Sequence, residues 1–411
     1  MKKALFILLA SLVFASWAQA FEVKMSGQVE AYGSFFLQGD KGKENNFLEM
    51  RYLQKLTFIA NDNWLFHLET DMRADNRNFS HGAVNGITEN DSRWMLGYRE
   101  AYTEYQKDKL RIRIGKQIIN WSVTDTISPS DNISPRDYME IVRWERIGVP
   151  AINIRYGGDT FIEGIYTPFF TPSKLPKLGG RWDRDLPVGL RSVEQDVPGK
   201  DRGQFALRVG TNFKGFDLTA SYFNGYSYSP SYRLERDGQM TDVIPFYVPL
   251  EAYTIGAAKS WKGFTFRGEV GYFQQNGDDN FIQYVIGADR EFTGLVGKTD
   301  SFYFLLQYAN EIKTRSKNEL PFDTIDFRRV FNNAIMAKAK YAPSDSSRWE
   351  YKLEGTYNFT DHDIYVQPAA AWKYKSFQVE GGLNMFFGPS STFFGGYKKN
   401  DHLYLKTTYN F

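Results

Sequence analysis

The amino-acid sequence predicts an all-β fold: a transmembrane antiparallel β-barrel of about eighteen strands, within a range of about 16–20, behind a cleaved leader. Three observations carry this expectation. Apolar and polar residues alternate with a period of two along much of the 411-residue chain. The connections between these segments run short, then long, then short. Tryptophans gather beside the short ones.

The first element is the leader, residues 1–20. Lys2 and Lys3 precede an apolar run from Ala4 to Ala15, and Ala18-Gln19-Ala20 closes it. This is the layout of a secretory signal peptide, and the run is too short for a membrane-spanning helix. Phe21, not cysteine, follows the expected cut, which argues against a lipid anchor. Residues 21–411 then read as one barrel domain with long extracellular loops. No Ser/Pro linker, charge block or low-complexity tract divides them.

Trp64–Asp75 shows the alternation best. Even positions carry Trp64, Phe66, Leu68, Thr70, Met72 and Ala74. Odd positions carry His67, Glu69, Asp71, Arg73 and Asp75, with Leu65 out of step. A period of two means a strand with two unlike faces. The same reading gives strands at 22–38, 47–60, 64–75, 93–106, 109–117, 151–157, 160–168, 204–213, 216–225, 250–261, 264–275, 280–292, 300–311, 327–342, 348–359, 363–374, 377–387 and 401–411. Several of these alternate poorly and are placed by spacing.

From the second strand on, every other connection is short, as at Asn61-Asp62-Asn63, Lys107-Asp108, Lys214-Gly215, Lys262-Gly263 and Lys375-Ser376. The intervening ones include 76–92, 118–150, 169–203, 226–249, 312–326 and 388–400. Tight turns on one rim and long loops on the other describe a membrane barrel. Trp64, Trp261, Trp349 and Trp372 lie near short turns, where an amphipathic ring suits a membrane–water boundary. A β-sandwich produces the same alternation with its apolar face inward. Strands of about 10–14 residues, longer than a typical strand of about 5–6, decide for the barrel together with the turn rhythm. Even residues of Trp64–Asp75 are then expected to face lipid and odd ones a wet interior. The ring must close, because an unpaired edge in hydrocarbon leaves backbone groups unsatisfied.

Composition excludes several functions. Cysteine is absent, which removes thiol catalysis, thiolate metal sites and Cys-based haem attachment within this chain, and no cofactor is expected. A net charge of +2 indicates no nucleic-acid partner. The histidines are His67, His81, His362 and His402, scattered along the chain, so no catalytic constellation is legible and an enzyme is not expected.

Loop 118–150 is expected to fold inward as a constriction built from Asp125, Asp131, Arg136, Asp137, Glu140, Arg143 and Arg146, with Glu145 among its charges. The bland alternative is a surface loop stitched by exposed ion pairs. The wall is expected to carry an acidic patch of Glu69, Asp71, Glu100 and Glu104, with Arg73 beside it. A basic patch of Arg111, Arg113, Arg155 and Arg208 neighbours it, and inward Lys338, Lys340 and Lys352 add to the positive side. This reads as weak selectivity with a slight anion preference, the alternative being charges that pair with each other or merely solvate the lumen. Tyr32, Phe36, Tyr98, Tyr102, Tyr303, Tyr365 and Tyr404 are inward candidates for stacking on sugar rings. Loop 169–203, rich in Pro, Gly and charge, is expected to cover the mouth.

The last segment carries Leu403, Leu405, Thr407, Tyr409 and Phe411 on one face. It resembles the C-terminal assembly signal of Gram-negative outer-membrane β-barrel porins, and loop 118–150 resembles in position their third, inward-folding loop. The stretch Arg113–Pro135 resembles a motif of a little-characterised group of large bacterial outer-membrane porins. The matching residues are Gly115, Gln117, Trp121, Ser122, Asp125, Pro129, Asp131, Pro135 and, just beyond, Asp137. That group commonly has Gly where Ser122 stands. The resemblance implies an outer membrane location, contact with outer-membrane lipid, recognition of Phe411 by assembly machinery, a possible homotrimer, and passive diffusion of small hydrophilic solutes. Other functions compatible with the pattern are a sheath for a multihaem cytochrome partner and an export or uptake channel for polysaccharide or organic compounds. An energy-coupled receptor is disfavoured, since strands begin almost at Phe21 and leave no plug domain before them.

Overall fold

The computed structural model describes residues 22–40, 43–76, 96–176, 180–183, 190–192, 202–316 and 329–411. The expected leader lies outside these residues, as do nearly all of loop 76–92 and parts of loops 169–203 and 312–326.

The chain forms β1 (Glu22–Phe36), β2 (Asn46–Asn61), β3 (Trp64–Asp75), β4 (Leu96–Lys107), β5 (Leu110–Gln117), β6 (Arg136–Asp137), β7 (Glu145–Arg146), β8 (Val149–Gly157), β9 (Phe161–Thr167), β10 (Leu190–Ser192), β11 (Gln204–Phe213) and β12 (Phe216–Tyr226). It continues through β13 (Ser231–Asp237), β14 (Met240–Phe246), β15 (Pro249–Trp261), β16 (Phe264–Gln275), β17 (Asn280–Thr293), β18 (Ser301–Arg315), β19 (Ala334–Ala342), β20 (Trp349–Asn358), β21 (Asp363–Tyr374), β22 (Phe377–Phe387) and β23 (His402–Asn410).

Eighteen of these make one antiparallel sheet, each pairing with the next in chain order once the loop strands β6, β7, β10, β13 and β14 are set aside. The sheet closes where β23 pairs with β1, from Gln28↔Asn410 to Phe36↔His402. Beyond the strand end, Gly27 and Phe411 exchange backbone hydrogen bonds of 3.0 and 3.1 Å. A side chain at Gly27 would meet the Leu53 carbonyl at 2.4 Å and the Phe411 ring at 2.6 Å, so a bare backbone is required there. The seam leaves no edge of the kind that hydrocarbon forbids.

The wall is inside-out relative to a soluble protein. Val23, Met25, Met72, Ile114, Ile154, Ile255, Ile286, Leu353, Leu403 and Leu405 are exposed on its outer surface. Glu49, Arg51, Glu69, Arg73, Glu104, Glu163 and Glu269 are buried within. In β3, Trp64, Met72 and Ala74 are exposed while Glu69 and Arg73 are buried. Trp64, Trp261 and Trp349 stand exposed at strand ends beside short turns. At Lys214-Gly215 and Lys262-Gly263 both residues have positive φ (52° and 76°, 49° and 81°), the geometry that joins two right-twisted strands tightly.

Three features differ from the sequence reading. Tyr98 faces outward with Leu96, because β3 and β4 slip register between Glu69↔Glu100 and Thr70↔Tyr98. Arg99 is the extra residue of that bulge, and an extra residue flips the parity of what precedes it. Strand β19 begins at Ala334, not 327: Asn333 has φ 53° and residues 329–333 form turns that bring Val330 and Phe331 inward. Loops 169–203 and 226–249 are not structureless. They share a three-stranded sheet in which β10 runs parallel to β14 and β14 makes a hairpin with β13. Loop 388–400 likewise contains a 3-10 helix, Gly395–Asn400.

Candidate functional site

The bore holds segment 118–150. The residues of the sequence motif form its frame. Gly115 has φ 133°, and a Cβ there would meet the Ala101 carbonyl at 2.3 Å, so glycine is needed where the chain leaves β5. Gln117 is fully buried and donates to the Ala151 carbonyl at 3.0 Å. Trp121 packs with Ile119, Ile133, Phe223 and Phe273. The Ser134 hydroxyl accepts from the Ile119 amide at 2.8 Å and ties the outgoing and returning arms. Asp131 binds both Arg136 and Arg146, the latter at 2.7 Å, and Arg146 also reaches the Ser122 hydroxyl at 3.1 Å. The short hairpin of β6 and β7 follows, with Arg136 opposite Arg146.

This segment bonds to opposite walls. On one side Glu269 of β16 accepts from Thr124 Oγ1 at 2.5 Å, from the Val123 amide at 3.1 Å and from the Ser130 hydroxyl. The Thr126 amide donates to Gln307 of β18 at 3.0 Å. On the other side Arg143 donates to Glu49 at 2.8 Å and Glu30 at 3.3 Å. Glu145 accepts from Arg51 at 2.5 and 2.9 Å, from Arg73 at 3.3 Å, and lies 3.7 Å from Arg99. Strands β2 and β16 are the second and eleventh of eighteen in the ring, nine apart, hence opposite. Burial works against the charge of Glu145. Arg73, Arg51 and Arg99 outweigh it and hold that carboxyl well below the usual carboxylate range.

The expected charges fall into distinct places. Asp125 lies 3.6 Å from Arg267 and lines a cavity; Arg143 lines a second one. Asp131, Arg136 and Arg146 bond within the segment. Asp137 accepts from the Met139 amide, and Glu140 sits 3.3 Å from Arg143. The acidic patch is not bare. Glu69 pairs with Arg99, Asp71 with Arg51 and Arg73, and Glu104 with Arg113, while Glu100 accepts the Ile118 amide. Lys338 pairs with Glu354 at 3.0 Å and Lys340 faces Tyr303. Arg111, Arg155 and Arg208 surround Glu163.

Glu30, Glu49, Arg51, Arg99, Glu163 and Glu269 are the residues sequence reasoning missed. Apart from Arg99, which alternation puts out of phase with Glu100 and Glu104, their only signal was a place on the polar face of a strand.

A cavity of about 520 Å³ remains beside the segment. Val330, Phe331, Phe393 and Phe394 line it on the long-loop side. Asp125, Tyr303 and Lys340 line it near the short-turn rim, where β18 begins and β19 ends. Tyr365 stacks on Phe394 at 5.8 Å along its wall. A second cavity of about 370 Å³, lined by Glu30, Arg143, Lys352, Glu380 and Lys406, shares Val142, Trp144, Glu354 and Gln367 with the first. At the mouth, Trp182 of loop 169–203 packs on Phe36, Phe386 and Tyr397, and Arg181 bonds the Gln38 carbonyl at 2.7 Å.

Comparison with known proteins adds the following. No protein-family model matches the chain, and no curated protein does. Solved structures match it in fold. A loop-deletion mutant of OmpT, an outer membrane protein of Vibrio cholerae, aligns with 96% of this chain and 100% of its own, at 9% identity and a TM-score of 0.46. OmpT folded in vitro in a trimer form aligns over the same shares at 10% identity and a TM-score of 0.44. A substituted form of Rh. blastica porin aligns over 95% of this chain and 100% of its own, at 11% identity and a TM-score of 0.45. These likenesses concern the barrel fold and extend no further.

Proposed function

We propose that this barrel is a water-filled channel in the outer membrane of a Gram-negative bacterium, through which small hydrophilic solutes diffuse passively. Segment 118–150 acts as its constriction. The observation that carries the reading is the cavity of about 520 Å³ running beside that segment from the long-loop side toward the short-turn rim. Solutes pass between Val142 and Trp144 on one side and Glu354 and Gln367 on the other, where both cavities meet. Asp125, Lys338, Lys340 and Glu354 supply charge of both signs along the way, so selectivity between ions is weak. No catalytic step is assigned.

A sheath around a cytochrome requires a bore free across its width, and hydrogen bonds from segment 118–150 to opposite walls count against it. Membership of the group with the Arg113–Pro135 motif, assembly into trimers and recognition of Phe411 by assembly machinery belong to the same reading. Single-channel recording in planar bilayers tests it. Ohmic current is the expected result; a silent barrel, correctly folded by its heat-shifted gel mobility, overturns it.

A further inference from the structure

One row of the inner wall carries a marked charge imbalance. Across β4, β5, β8, β9, β11 and β12 the register aligns Gln106, Arg111, Arg155, Glu163, Arg208 and Ser221. Three arginines therefore share one carboxylate. Arg208 donates to Glu163 at 2.8 Å, while Arg111 and Arg155 stand 3.7 and 3.8 Å away. The neighbours at the ends of the row are neutral, so the row carries a net charge of two plus, three cations against one anion. The next ion along β5, Arg113, is matched by Glu104 at 2.5 Å and adds nothing.

The arginine heads are also placed. The ring of Phe161 lies 3.4 Å from the Arg155 guanidinium carbon and 5.3 Å from that of Arg208, and Trp121 lies 4.9 Å from Arg208 on the segment side. Stacking on aromatic faces holds a planar guanidinium while leaving its edge for hydrogen bonding. The Nε atoms of Arg111 and Arg208 are buried without a hydrogen-bond partner among the described residues. Buried donors of this kind favour an acceptor beside them.

We propose that Arg111, Arg155 and Arg208 form a binding station for a small tetrahedral oxyanion, inorganic phosphate or the phosphoryl group of a solute. Guanidinium forks suit an anion with several acceptor oxygens and suit chloride poorly. The station lies near the short-turn rim, since Arg111 is the second residue of β5 and Glu163 the third of β9. An anion entering the aqueous bore proposed above halts there before leaving, and Glu163 tempers its residence by repulsion.

Equilibrium dialysis of the detergent-solubilised barrel against radiolabelled inorganic phosphate tests the station without requiring conduction. Saturable binding is expected. Arg155→Gln weakens it by about tenfold or more, the loss of one charge-assisted contact. Glu163→Gln strengthens it, because the row rises to three plus. Absent saturable binding, an unchanged Arg155→Gln affinity, or weaker binding by Glu163→Gln each overturns the proposal. Heat-shifted gel mobility verifies folding; should Arg155→Gln not fold, the direction of the Glu163→Gln effect decides alone. A glucose phosphate competing with inorganic phosphate assigns the station to phosphorylated solutes as well, and failure to compete restricts it to the free ion. A barrel that binds phosphate but passes no current overturns the channel and keeps the station. Current without phosphate binding does the reverse.

Discussion

The wall of β1–β4 and the wall of β19–β22 enclose the same bore and use their charges differently. On β1–β4 the ions reach inward: Glu30 and Glu49 take Arg143, and Arg51, Arg73 and Arg99 take Glu145. On β19–β22 the ions pair along the wall itself, Lys338 with Glu354 at 3.0 Å and Lys352 with Glu380 at 2.6 Å. The first arrangement draws segment 118–150 against the barrel; the second leaves the two cavities beside it. Both walls carry ions of both signs. Where the partners sit decides whether that charge fastens a loop or lines a passage.

The largest break in this contrast comes from removing the partition. Replacing residues 138–144 by two glycines eliminates Val142, Trp144 and Arg143 together, and single-channel conductance is expected to rise severalfold. An unchanged conductance means the passage does not run beside that hairpin.

Loosening the fastening is the next effect in size. Arg51→Ala strips a deeply buried partner from both Glu145 and Asp71. Removing one member of such a pair costs about 3–5 kcal/mol, because the remaining charge stays desolvated. The variant is expected to flicker between two conductance levels in single-channel traces. Arg51→Ala combined with Glu145→Ala is expected to recover part of the loss in a double-mutant cycle. Strict additivity of the two stability losses argues against coupling.

Acid sharpens the same comparison. Since the folded Glu145 carboxyl titrates below its unfolded value, the fastening is fully present above about pH 4.3 and is lost as pH falls through the lower folded value. Conductance at constant salt is therefore expected to hold from neutral pH to about pH 4.3 and to step only in stronger acid. Glu145→Gln abolishes that step. A transition near neutrality rejects this assignment.

The smallest effect concerns the open wall. Lys340→Gln removes one cation from the cavity lining. The reversal potential in a salt gradient is expected to shift by a few millivolts toward cation preference, an effect reduced by screening. A shift toward anions contradicts the proposed path.

Residues differ in how far their roles were legible. Strand β3 was readable because its outer face must be apolar at every second position, and Met72 and Ala74 obey that rule beside Glu69 and Arg73. Tyr98 was misread because parity reasoning assumes an uninterrupted ladder, and the bulge at Arg99 breaks it. The hairpin of β13 and β14 is not legible in the sequence because it belongs to a small separate sheet, outside the alternating rhythm of the wall. Gly115, Trp121 and Asp131 stood out by their motif, whereas Glu269 and Arg51 did not. Their importance arises from partners 145 and 94 residues away, and such pairings exist only after the ring has its register.

That separation sets a chronology for the molecule. Thr124 and Thr126 are synthesised 145 and 181 residues before Glu269 and Gln307, the groups on which they settle. Contacts so remote in sequence form late, after costly chain closure. Until β16 and β18 have joined the ring, Thr124 and Thr126 have no wall to settle on. The segment across the bore therefore finds its seat only once most of the ring stands.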